Sequence, residues 1–93
     1  MMASISSETR PRLARGVRLA EDRVRGGWNL LAPERVLTAN ATAVEVLRLC
    51  DGSRSFGDIV GLLAEKFSAE PARIEGEAGA LLSDLRAKRM VEL

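Results

Sequence analysis

The sequence predicts an α+β domain, winged helix-turn-helix-like, with a three-stranded antiparallel sheet followed by three helices. Three observations predict it. Short β-favouring runs punctuated by turn residues fill the first half, at Val17–Val24, Trp28–Ala32 and Val36–Thr38. Apolar residues recur at helical spacing in the second half, as in Phe56, Ile59, Val60, Leu63 and Phe67. Helix-opening residues stand where these periods begin, at Asn40, Ser55 and Pro71.

Residues 1–15 are polar and basic and read as a mobile N-terminal arm ahead of a single domain spanning 16–93. Val17 and Leu19 alternate with charged neighbours, a half-buried strand pattern. Gly26-Gly27 reads as a hairpin turn. Trp28 either covers one edge of a small core or grips a partner, since tryptophan is enriched at interface anchors. Pro33 ends the second run because it has no backbone donor, and Val36, Leu37 and Thr38 begin a third. The helix over about Ala41–Cys50 follows Asn40, whose side chain can accept from first-turn amides. It is apolar over much of its circumference, so it is the central helix, and Cys50 reads as a buried small hydrophobe rather than a reactive thiol. Asp51-Gly52 stops it, and Ser55 with Asp58 resembles a capping box opening the next helix. Gly57 and Gly61 cost that helix ~1 kcal/mol each relative to alanine and suggest close approach by a neighbouring helix. Pro71 suits the first turn of the third helix, whose inward stripe is Ile74, Ala78, Leu81 and Leu85, widened by Leu82. Gly76 and Gly79 leave another flank without bulk, and Met90–Leu93 either adds an edge pairing or covers the core.

Ninety-three residues make one modest core, and 46% hydrophobic with 29% charged residues is a globular composition. A net charge of +1 argues for neither a polyanion binder nor an acidic tail. One cysteine rules out an internal disulfide and suits a reducing compartment. No apolar run approaches the ~20 residues of a membrane-spanning helix, and the first residues lack the apolar segment of a secretory signal. The expectation is a soluble, cytoplasmic protein with no membrane partner. The chain has no histidine and no tyrosine, which removes the usual Cys/His zinc site and any histidine-based nucleophile. No Gly-rich phosphate loop is present. No metal, no cofactor and no enzymatic activity are therefore expected. The alternative, a winged-helix DNA-binding or regulatory domain, needs a basic face. Over residues 71–93, Arg73, Arg86, Lys88 and Arg89 are balanced by Glu75, Glu77, Asp84 and Glu92, so no nucleic-acid partner is expected.

Several pieces together carry a family resemblance: Val17-Arg18-Leu19, Leu30-Leu31-x-Pro33-Glu34, and Asn40-x-Thr42-Ala43-x-x-Val46-Leu47. They continue through Asp51-Gly52, the Ile59-Val60 helix and the Leu85–Val91 close. In order and spacing, over about residues 11–93, this resembles the PqqD family of pyrroloquinoline quinone biosynthesis. Ala32 and Ala39 depart from it, standing where an aromatic residue and a leucine are common. The resemblance implies a non-catalytic peptide chaperone of the RiPP recognition element class. Such a chaperone binds a PqqA-type precursor peptide and presents it to a PqqE-type radical SAM enzyme. It also implies that the precursor joins the third strand as an extra strand, in a groove against the third helix. The candidate peptide-binding residues are then Arg35, Val36, Leu37, Thr38 and Ala39 on the strand, and Ile74, Ala78, Leu81, Leu82 and Leu85 on the helix. One flank of that helical stripe packs inward, so roughly half of these positions are structural. An edge strand offers unpaired amides and carbonyls to a guest peptide, and equally to a second copy, so monomer and homodimer both stay open. The run Arg10, Arg12, Arg15, Arg18, Arg23 and Arg25 is either a solvated basic arm or a means of steering an acidic partner.

Overall fold

The computed structural model describes residues 5–93. The chain runs through β1 (Arg12–Leu13), β2 (Arg18–Glu21), β3 (Trp28–Ala32), β4 (Arg35–Ala39), α1 (Ala41–Arg48), α2 (Phe56–Phe67), α3 (Pro71–Ala87) and β5 (Val91–Glu92). The expected α+β plan is present: β2, β3 and β4 form an antiparallel sheet in that order, and the helices follow. Two further short strands pair with each other across the whole chain, Arg12 opposite Glu92 and Leu13 opposite Val91. The C-terminal residues thus do both things expected of them as alternatives: Val91 and Glu92 pair with β1, while Met90 and Val91 are buried in the core.

The expected arm at 1–15 needs correction over its described part, because residues 5–13 are docked on the domain. Pro11 is fully buried, and its carbonyl accepts from the Gly52 amide at 3.0 Å. The Thr9 and Ser7 carbonyls accept from the Phe56 and Gly57 amides at 2.6 and 2.9 Å. A helix leaves its first amides without internal partners. At α2 these two are met by the N-terminal segment, while Asp58 N–H is met by Ser55 Oγ at 3.0 Å. Asp58 accepts in return from Ser55 N–H, which completes the expected capping box. Residues 1–4 of the expected arm lie outside the described residues.

The core joins Leu30 of the sheet to Val46, Ile59, Leu82 and Met90, all essentially without solvent contact. Asn40 caps α1 as its short side chain predicts, accepting from Ala43 N–H at 2.8 Å. Cys50 is buried, its thiol donating to the Val46 carbonyl at 3.3 Å. Burial, helped by the nearby Asp51 carboxylate, pushes that thiol up to about 12. Gly26 and Gly27 adopt φ of +81° and +83°, which the turn between β2 and β3 requires. Two expectations fail. No helix packs at Gly61, where an added Cβ would meet nothing within 4 Å, and at Gly57 the neighbour is Ser7 of the N-terminal segment. Phe67, counted with the buried face of α2, is 51% exposed because it sits on the last turn, beyond the packed stripe.

Candidate functional site

Among the described residues the sheet ends at β4, whose one paired neighbour is β3, with Ala32 opposite Arg35, Leu30 opposite Leu37 and Trp28 opposite Ala39. Only Pro33 and Glu34 connect the two strands, which makes Ala32 and Arg35 a hydrogen-bonded pair. Antiparallel pairs alternate, so the amides and carbonyls of Arg35, Leu37 and Ala39 turn toward β3. Those of Val36 and Thr38 turn outward, at the open edge. Side chains alternate as well: Ala39 is buried and Leu37 half-buried on the inner face, while Val36 and Thr38 are exposed on the outer one.

Beside this edge runs the C-terminal half of α3. Leu37, Thr38 and Ala39 share a groove of about 180 Å³ with Leu81, Asp84, Leu85 and Lys88, floored by Leu30, Ala43 and Leu47. Its far end is tied across, since Arg35 Nη1 donates to the Lys88 carbonyl at 3.4 Å. Lys88 Nζ in turn holds Asp84 Oδ2 at 2.9 Å, so the charged side chains on the rim offset one another. Sequence reasoning missed Asp84 and Lys88, although their spacing of 3 and 7 from Leu81 places them on the same helical face.

The structure divides the ten candidate positions. Leu37, Thr38, Ala39, Leu81 and Leu85 line the one groove, and Arg35 bridges its end. Val36 is 65% exposed and borders a different hollow, between the β2–β3 turn and the outer sheet face. Asp22 shapes that turn: its carboxylate accepts chiefly from Arg25 N–H, and also from Val24 and Asn29, which holds it below the usual carboxylate range. Leu82, with 0% exposure, is core and offers a ligand no surface. Ala78 is also buried, and it borders with Ile74 a second cavity at the opposite end of α3. The single periodic stripe conceals this split, because one helix face passes several neighbours along its length.

Trp28 takes the edge-covering place: it is half-buried against the core, with the Arg48 guanidinium 4.8 Å above its ring centre. Among the described residues there is no group of three metal-ligating side chains, and no helix is long and apolar enough to cross a membrane.

Comparison with known proteins agrees with this architecture. A family model described as Coenzyme PQQ synthesis protein D (PqqD) matches residues 27–91. A PqqA binding protein of Rhodopseudomonas palustris (strain HaA2) is 46% identical over 85 residues, covering 91% of this chain and 83% of that protein. A PqqA binding protein of Xanthomonas axonopodis pv. citri (strain 306) is 42% identical over 92 residues, 99% of this chain and 100% of its own. The solution structure of the PqqD truncation of Methylobacterium extorquens PqqCD, described as a functional and stand-alone RiPP recognition element, superposes with a TM-score of 0.84 at 41% identity. That likeness covers 97% of this chain and 96% of the other. The crystal structure of PqqD from Xanthomonas campestris gives a TM-score of 0.62 at 40% identity, over 97% and 100% of the two chains. With the family model spanning residues 27–91 and relatives 42–46% identical along most of its length, the chain belongs to the PqqD family.

Proposed function

We propose that this protein is a peptide-binding chaperone of pyrroloquinoline quinone biosynthesis that takes up a PqqA-type precursor by strand addition at β4. The observation that carries the reading is an unpaired strand edge lying beside the half-exposed apolar face of α3. A guest strand meets the outward groups of Val36 and Thr38, about four main-chain hydrogen bonds at ~0.5–1.5 kcal/mol net each. That sum falls short of the ~8 kcal/mol of micromolar binding. The partly exposed Leu37 and Leu81, backed by buried Leu85, have to contribute the remainder and, with it, the choice of peptide. The relatives named PqqA binding proteins and the similar RiPP recognition element of Methylobacterium extorquens support the partner assigned here.

The role is non-catalytic: the bound precursor is presented to a PqqE-type radical SAM enzyme in the cytoplasm, with the chaperone as a monomer or a homodimer. The chain has no histidine, and its one thiol is buried and held protonated far above neutral pH, which leaves little to conduct acid–base or nucleophilic chemistry. A nucleic-acid role is disfavoured by α3, where Arg73 and, just past the helix end, Lys88 each bond a carboxylate of that helix.

Strand addition has a sharp test in two proline substitutions. Thr38→Pro removes an outward amide and spares the pairing with β3, so it keeps the fold and abolishes PqqA binding. Leu37→Pro removes an inward amide and unfolds the sheet. Titration of isotope-labelled protein with PqqA, followed by amide shifts, should perturb Val36–Ala39 and Leu81–Leu85. Unchanged binding by a folded Thr38→Pro variant would sink the proposal.

A further inference from the structure

The face of α3 that borders the β4 groove does not stop there. Ile74, Glu77 and Ala78 continue it by helical spacing, and over 14 residues the face from Ile74 to Lys88 extends for ~21 Å. β4 matches only part of that length, five residues at ~3.3 Å each. Beyond its Ala39 end the same helix face opens into a second cavity, of about 330 Å³. Its wall is mostly apolar, with Val46 of α1, Leu63 and Phe67 of α2 and Ile74 of α3, and Thr42, Glu45, Arg73 and Glu77 also line it.

Phe67 stands out. It is one of two phenylalanines, and it is 51% exposed at this cavity while the other, Phe56, is buried. The charges around the opening are already paired, Lys66 Nζ with Glu45 Oε1 at 2.6 Å and Arg73 Nε with Glu77 Oε2 at 3.3 Å. A charged guest group would have to break one of these pairs, whereas an apolar one packs on Ile74 and on Phe67, whose ring has Lys66 Nζ 5.5 Å from its centre.

We infer that this cavity is a second recognition subsite, which receives a large apolar side chain from the flank of the precursor that leaves β4 at its Ala39 end. The inference rests on the strand-addition reading and deepens it. The paired stretch fixes register at the edge, and the anchor beyond it selects peptides with a leucine-sized or aromatic residue at a set distance from that stretch. The occupant follows from the α3 face, which borders the β4 groove at Leu81 and Leu85 and this cavity at Ile74 and Ala78, so a chain continuing along α3 past Ala39 reaches the cavity.

The test combines Phe67→Ala and Ile74→Ala with three probes: full-length PqqA and two synthetic PqqA peptides, each lacking one flank of the β4-contacting stretch. Phe67 is half exposed, so its truncation should leave the fold intact. Each substitution should weaken full-length PqqA about tenfold, as loss of an anchor does. Neither should weaken the peptide that lacks the anchoring flank. Full-length binding within twofold of the parent, with amide shifts retained at Val36–Ala39, would overturn the subsite and leave strand addition standing. A change in self-association by light scattering, without a change in PqqA affinity, would overturn it in favour of a second copy. Absence of any shift at β4 would remove the reading on which it rests.

Discussion

On one flank of α3, Gly76, Gly79, Ala80 and Ser83 line a hollow that the chain's own Ile5 and Phe56 share. On the other, Leu81 and Leu85 face β4 across a groove with a free strand edge beside it. The difference follows from side-chain size and from backbone bonding. The small residues leave room for the Phe56 ring, which lies 3.7 Å from a Cβ placed at Gly79, and the N-terminal segment at the edge of this hollow is held by the α2 amides and by pairing of β1 with β5. The larger side chains of the second flank stand beside outward-turned amides that no described strand meets. One helix thus presents an occupied flank and an available one.

The largest expected effect breaks both flanks together. Leu82 is fully buried on α3, so Leu82→Ala should cost about 2–5 kcal/mol in urea unfolding. A loss below ~1 kcal/mol would mean the helix is not the shared support. Next, a chain beginning at Arg10 loses the carbonyls that meet Phe56 and Gly57 together with Ile5, and should lose about 2 kcal/mol of stability. Its PqqA affinity, measured by calorimetry, should stay within twofold; a larger drop would join the two flanks functionally. Leu81→Ala should do the opposite, weakening PqqA about fivefold with stability changed by less than ~1 kcal/mol. Ser83→Ala, on the occupied flank, serves as the neutral control.

The smallest effect is a pH dependence on the occupied side. Asp51 accepts from Ser53 N–H and Oγ and from Arg54 N–H, which holds its carboxyl below the ordinary 3.8. Around that pH the folded chain binds fewer protons than the unfolded one. The contribution is therefore complete above the ordinary value and is lost as pH falls through the lowered one. Urea midpoints should drop on acidification in the parent and less steeply in Asp51→Asn.

How much of this was legible in advance depends on how local the signal is. Asn40 and the Ser55–Asp58 pair bond within three residues, and both caps appear as expected. The Gly26-Gly27 turn is equally local. The β1–β5 ladder joins positions 80 apart in two-residue strands, too short to carry a period, so a run of arginines around Pro11 looked like a loose arm. At the site, the stripe Ile74, Ala78, Leu81 and Leu85 was readable, yet its division between two cavities depends on where β4, α1 and α2 end against it. No periodicity holds that information.

The pairing of Arg12 with Glu92 also works as a clasp between positions 80 apart in the chain. Closing so long a loop is costly in entropy and slow, so the clasp should be among the last contacts to form and among the first to open. The β4–α3 stretch lies wholly inside the loop it closes, and opening the clasp leaves the β3–β4 pairing untouched.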